Sequence, residues 1–347
     1  MGGNCLKDCT TRRYNRAEYY ALENEVMYKL DNLFPNDCKS PILSYHDKES
    51  FGDMDILISS EFMTQDMIEA IIDEFQPRQV FKNGNCLSFE YKEFQIDLIA
   101  TGVANYESSQ RYFAYNDLGN LCGRLAGAIG LKLGHDGLSY NYREGTNLIA
   151  NIPISKHWYE ILPILGLDYN PFFEGFNTLE EIFNFVASST YFRKDIFLLE
   201  NRNHTSRVRD SKRKTYMAFL EWLENGSCKH VEATETRSKE EWLHIHLESI
   251  KGFKEAYNAS EKKHIDWVEY TSRFNGKIVN RITGLEGKEL GMFMTFVKAH
   301  YHGAETLQRD VLKMNVKLVD SWIMHMYKLY SGTLEVTNLE FTIAQEK

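Results

Sequence analysis

No stretch of this sequence approaches eighteen consecutive apolar residues, so it offers no membrane-spanning helix. The opening segment, MGGNCLKDCTTRRYNR, is polar and basic and lacks an apolar core, which argues against a secretory signal. Gly2 follows Met1, yet Leu6 stands where a myristoylation motif wants serine or threonine, so that anchor is poorly matched. Cysteine is sparse: six residues scattered over 347 read as reduced thiols of a cytoplasmic or nucleoid-associated protein, not a disulfide scaffold. Cys5 and Cys9 have a zinc-compatible spacing but no second pair, so two ordinary thiols are the simpler reading. Internal repeats and low-complexity linkers are missing as well. Excess positive charge is also missing. At a net charge of −9 the chain is no general polyanion binder, and any nucleic-acid contact must use a local basic patch.

What is present reads first as a small α+β domain. Residues 15–34 carry apolar side chains at helical spacing, and PNDCKSP breaks the chain after them. ILSY and DMDILIS read as strands, followed by a helix over SSEFMTQDMIEAIIDEF that Ser59, Ser60 or Thr64 can cap. QVF, CLSFEY and FQIDLIA read as further strands of one central sheet, and 116–131 as a helix rich in small residues. From about Ser155 the pattern becomes mainly helical, with a soft change of character somewhere in 150–178.

FGDMDILIS poses the chemical question. Asp53 and Asp55 are two apart, so on a strand they share one face, and the run behind them is apolar. Uncompensated carboxylates in such a setting cost several kcal/mol. A third acid, Asp97, sits within FQIDLIA. If that strand neighbours the first, three hard oxygen donors converge, a set suited to Mg²⁺ or Mn²⁺ with phosphate oxygens completing the shell. Two such ions stabilise both the attacking and the leaving oxygen of a phosphoryl transfer.

GDMDILI resembles the metal-binding motif of the family X DNA polymerases, within the polymerase-β-like nucleotidyltransferase superfamily, and FQIDLIA resembles that family's third-aspartate strand. YFAYNDLGNLCGRLAGAIGLKLGHDGLSY and ISKHWYEILPILGLDYNPF are similar to the segments that follow. The likeness covers roughly residues 40–175 and implies a nucleotidyltransferase palm with a central mixed sheet over 41–110 and a nucleotide-contacting helix and thumb over 111–175; the flanking periodicity adds an N-terminal helix over 1–40 and a helical region over 176–347, whose basic run suggests nucleic-acid binding. The likeness implies two Mg²⁺ or Mn²⁺ ions on Asp53, Asp55 and Asp97, with Asp97 helping to deprotonate a primer 3′-OH. It places Tyr112 and Phe113 against the sugar of an incoming nucleoside triphosphate, Asp117 and Asn120 at its base, and Arg124 on the template side.

Two departures matter. The family's Gly-Ser and arginine-rich loop is reduced here to LSYHDKESFG, where Ser44 can stand for the serine, Gly52 closes the loop, and His46 and Lys48 are its basic candidates. Only about forty residues precede the sheet, so lyase activity is not expected. A second resemblance lies at 274–298, where Gly276-Lys277 and Gly287 to Gly291 look like the tail segment of tRNA nucleotidyltransferases, the CCA-adding enzymes; Gly284 and Gly287 would make a turn whose following helix could hold a phosphate.

NRNHTSRVRDSKRKTY concentrates Arg202, Arg207, Arg209, Lys212, Arg213 and Lys214, with Asp210 as its one acid. It reads as a phosphate-contacting surface for a DNA primer or a tRNA or RNA 3′ end, with His204 and Tyr216 available for stacking. The phosphates of the triphosphate are its other target. His244 with His246, and His300 with His302, are two apart on helices and face different ways, so joint ligation is not expected. Trp222, Trp242, Trp267 and Trp322 fit helical cores. The sequence thus points to NMP transfer onto a nucleic-acid 3′-OH, either polymerase-like or as a template-independent tRNA or RNA 3′-end enzyme. A catalytically silent nucleotidyltransferase fold that binds nucleic acid is the competing class.

Overall fold

The computed structural model describes residues 5–234 and 236–332; Gly2 lies outside them. The chain is α+β, with a mixed central sheet and a helical C-terminal region. It divides into two compact units between Lys254 and Glu255.

In the first unit, a short strand β1 (Tyr14–Asn15) leads into helix α1 (Arg16–Asp31). Asn15 caps α1 through a reciprocal box with Glu18. The central sheet contains β2 (Lys39–Pro41), β4 (Asp53–Ser59), β5 (Val80–Asn83), β6 (Cys86–Tyr91) and β7 (Phe94–Thr101) in the order β2-β4-β7-β6-β5. β3 (Ser50–Phe51) pairs instead with β1. Strands β4 and β7 run parallel, and every other pair in the sheet is antiparallel. Helix α2 (Gln65–Phe75) is capped by Thr64, not by Ser59 or Ser60. The edge strand is the segment just before ILSY, and it ends at Pro41, which has no N–H to donate. Ile42 donates one more bond to Asp55 O at 2.9 Å, and the chain then leaves, with Leu43 O accepting from Tyr115 N.

Alternation divides the sheet sharply. Met54, Ile56, Ile58, Leu87, Phe89, Phe94, Ile96 and Leu98 face one way and are buried under Tyr19, Leu22, Val26 and Leu30 of α1 and Ile68, Ile71 and Phe75 of α2. The intervening residues Asp53, Asp55, Ser88, Gln95 and Asp97 face the other way.

A second core follows. Helices α3 (Tyr106–Phe113) and α4 (Leu118–Ala128) lead to a three-stranded sheet of β8 (Lys132–Gly134), β9 (Gly137–Glu144) and β10 (Asn147–Ser155), a hairpin that the sequence reading passed over. Gly119 lets α3 and α4 touch, since a Cβ there would lie 2.1 Å from Tyr112 O. Helices α5 (Trp158–Ile164), α6 (Asn170–Glu174), α7 (Leu179–Ala187), α8 (His204–Asp210), α9 (Lys214–Glu224) and α10 (Lys239–Ser249) complete the unit. One core joins Ala114 to Trp242 across the 150–178 stretch where the sequence changes character.

The second unit is helical. Helix α11 (Phe253–Arg273) leads into it, followed by α12 (Gly276–Thr283), α13 (Gly287–His300), α14 (Ala304–Lys313) and α15 (Val316–Tyr330) around Phe274, Phe293, Val311, Trp322 and Ile323. Gly284 takes a left-handed conformation at the end of α12, and α13 starts at Gly287. Trp222, Trp242 and Trp322 are core residues, but Trp267 is exposed and stacks on His264. No described helix is long and apolar enough to cross a membrane.

Candidate functional site

The parallel pairing of β4 with β7 sets Asp55 beside Asp97 and Asp53 beside Gln95. Ligand oxygens of Asp53, Asp55 and Asp97 lie within 4.8 Å of one another. Among the described residues this is the one cluster of three or more such groups, and Cys5 and Cys9 join none. All six cysteines are free.

Burial and mutual repulsion raise the pKa of two of these acids. The Asp55 carboxyl is raised well above its ordinary range, by burial first and then by the charges of Asp53 and Asp97. Asp97 is pushed up to about 6, again chiefly by burial; the Asp53 charge adds to this, while Ser88 and Gln95 oppose it. Gln95 grips Asp97 firmly, its Nε2 lying 3.0 and 2.9 Å from the two carboxylate oxygens. The donor set therefore fits a hard divalent cation: three oxygen ligands, one of them oriented from behind, and excess negative charge that a cation would relieve.

A cavity of about 640 Å³ opens on this face, with Asp53, Asp55, Ser44, Gly52 and Phe113 in its walls. Cations from three segments share those walls: Arg12 and Arg13, Lys48, and Arg213 with Lys214. Burial lowers the Lys48 pKa first, while Asp53 and Asp55 pull it up and Arg13 adds to the lowering. Its Nζ lies 3.3 Å from Ser44 Oγ and 3.4 Å from Asn116 Oδ1, over the Phe51 ring. Asn116 reaches the cavity because Tyr115 and Asn116 are both left-handed, at φ 57° and 61°. His46, the loop's other basic candidate, is out in solvent beside Asp47.

The remaining predicted site residues separate into two groups. Phe113 stacks on His135, and Tyr112 packs against the second core. Asp117 lines the cavity but is ion-paired to Arg213. Asn120 and Arg124 turn away from it, to Asp210. That carboxylate is fully buried and gathers Arg124 at 3.2 Å, Arg209 at 3.0 Å and Arg202 at 3.8 Å. Asn120 Oδ1 accepts from Arg124 and Arg209 at 3.0 and 3.2 Å. A buried carboxylate needs such partners, so Asp210 is a hub and not an interruption of the basic run. Arg207 and Lys212 are exposed. Tyr216 is not available for stacking: it lies on the inward face of α9 and donates to Phe197 O at 2.6 Å. His246 is likewise a core group, its Nε2 2.8 Å from Ile129 O.

Sequence reasoning missed Arg12, Arg13, Gln95 and Asn116. Gln95 had a signal, since it lies two residues before Asp97 on the same face. The arginines had none beyond local charge.

No protein-family profile matches the chain, and no curated protein matches it.

Proposed function

We propose that this chain is a metal-dependent nucleotidyltransferase with a polymerase-β-like palm, moving NMP from a nucleoside triphosphate to a 3′-OH and releasing pyrophosphate. One observation carries the reading. Three carboxylates on adjacent strands have ligand oxygens within 4.8 Å, and Asp53 and Asp55 open into a cavity whose walls also carry Arg13, Lys48 and Lys214. That combination suits a substrate with a metal-bound polyphosphate. Asp53, Asp55 and Asp97 would hold Mg²⁺ or Mn²⁺, which when bound neutralises phosphoryl charge and activates the attacking oxygen.

The chain's own residues supply position and proton transfer. Asp97, oriented by Gln95, is the carboxylate suited to accept the proton of a hydroxyl at the site. Phe113 offers a ring face at the cavity wall for a sugar or base. Lys48 and Lys214 supply positive charge to the polyphosphate side, with Arg213 held beside them by Asp117. This favours the triphosphate as the target of Lys214, and leaves exposed Arg207 and Lys212 for a nucleic-acid acceptor. The second reading, a template-independent tRNA or RNA 3′-end enzyme, rests on the resemblance at 274–298, where Gly284 ends α12 and α13 starts at Gly287.

The test is nucleotide incorporation with Mg²⁺ or Mn²⁺ on a gapped DNA duplex and on a tRNA lacking its 3′ end, with Asp97→Asn as control. Templated extension of the DNA supports the polymerase reading, and untemplated extension of the tRNA supports the second. No incorporation on either with retained nucleic-acid binding supports the silent fold.

A further inference from the structure

The segment before α1 is not a loose leader. From Cys5 to Asn15 it is tied to the sheet at one point after another. Cys5 N–H donates to Gln95 Oε1 at 3.2 Å, on the same amide that grips Asp97. Asp8 and Gln79 exchange two hydrogen bonds, at 2.9 and 2.8 Å. Arg12 N–H donates to Glu93 O at 2.8 Å, Tyr14 OH to Lys92 O at 2.6 Å, and β1 pairs with β3. These bonds deliver two arginines to the cavity, and the two differ. Arg12 is already neutralised, 3.0 Å from Glu18 and 3.8 Å from Glu93. Arg13 has only neutral partners: its Nε donates to Ser50 Oγ at 2.8 Å and its Nη2 to Ser50 O at 2.9 Å. Those two bonds fix the guanidinium and leave three of its five N–H groups for another acceptor.

Lys48 lines the same cavity, close enough to Arg13 that the guanidinium adds to the lowering of its pKa by burial, while Asp53 and Asp55 raise it. Arg13 and Lys48 repel each other, a repulsion that an anion lying between them would relieve, and a divalent cation on Asp53 and Asp55 would take up the carboxylate charge that now favours Lys48. Hydroxyl-bearing Thr11 and Ser44 adjoin them.

We infer that the N-terminal arm is a working part of the site, and that Arg13 together with Lys48 forms the clamp for the polyphosphate of the nucleotide, doing from before α1 what the arginine-poor 44–52 loop cannot. This rests on the nucleotidyl-transfer reading above. A planar fork suits the non-bridging oxygens of a phosphate chain, while Lys48 acts as a point charge.

The test is calorimetric binding of inorganic tripolyphosphate in Mg²⁺ to the full chain, with melting curves for every variant. Arg13→Gln is expected to weaken binding at least about tenfold and Arg13→Lys by an intermediate factor. Arg12→Gln is expected to stay within about threefold, because Arg12 serves the two glutamates. If Arg13→Gln lowers the melting temperature, the intact Arg13→Lys protein decides the matter. Binding by Arg13→Gln within threefold of the parent protein would overturn the clamp and leave the transfer reading standing. No tripolyphosphate binding by the parent protein would overturn both.

Discussion

The two faces of strands β4 and β7 are one residue apart in sequence and opposite in physical character. Met54, Ile56, Ile96 and Leu98 are completely buried under α1 and α2 and hold the unit together. Asp53, Asp55 and Asp97 crowd three acids into one spot, which does nothing for folding and opposes it when no cation is present. Function is recognisable where local charge exceeds what stability asks for. Substitutions on the two faces should therefore have opposite signatures.

The largest expected effect is on activity. Asp97→Asn or Asp55→Asn should lower nucleotide incorporation by about a thousandfold or more, since a liganding charge at the reacting phosphate is lost. The same variants should melt higher than the parent protein in EDTA at pH 8, because repulsion within the trio is relieved. Ile96→Ala, one position away, should do the reverse. It should cost about 2–5 kcal/mol in urea unfolding and leave the specific activity of the folded fraction nearly unchanged. Equal destabilisation by Ile96→Ala and Asp97→Asn would erase the contrast.

A pH effect comes next. An Asp97 carboxyl raised to about 6 binds its proton more tightly folded than unfolded. In EDTA, stability should be greatest below the unfolded value near 4 and fall as pH rises through about 6, by about 3 kcal/mol for this group. Mg²⁺ should restore the loss, and more strongly at pH 8 than at pH 5.5, because it competes with the protons. Melting curves across pH, with and without Mg²⁺, measure both signs. Gln95→Met should weaken Mn²⁺ binding about tenfold by freeing the Asp97 carboxylate to turn. The smallest effect belongs to His46→Ala, which should leave stability within about 0.5 kcal/mol and Mg²⁺-tripolyphosphate affinity unchanged, as expected of a solvated side chain.

The acid face was legible in the sequence because alternation depends only on spacing: two apolar strands, each with acids of one parity, announce a divided sheet. That β4 and β7 are neighbours was not legible, since pairing joins residues forty positions apart. The β9–β10 hairpin escaped notice because polar residues such as Asn141 and Asn151 sit on both of its strands and blur the period. Asp210 looked like a flaw in a basic run, because only the fold brings Arg124 from α4 against it. Arg13 carried no sign of its role, since its neighbour Arg12 has the same chemistry and differs only in nearby glutamates. Trp267 shares its helical face with buried Phe253 and Phe274, yet it lies midway between them on α11, where that face is exposed, and periodicity alone cannot show this.

The central claim is that the Asp53, Asp55 and Asp97 trio is a divalent-cation site whose acids repel one another when metal is removed. The most direct measurement is Mn²⁺ binding to metal-free protein at pH 7.5, followed by electron paramagnetic resonance and by melting temperature, for the parent chain and Asp55→Asn. The account predicts saturable binding and a raised melting temperature for the parent chain, and a variant that melts higher without metal but gains little from it. No bound Mn²⁺, with a metal-free Asp55→Asn protein no more stable than its parent, would contradict it.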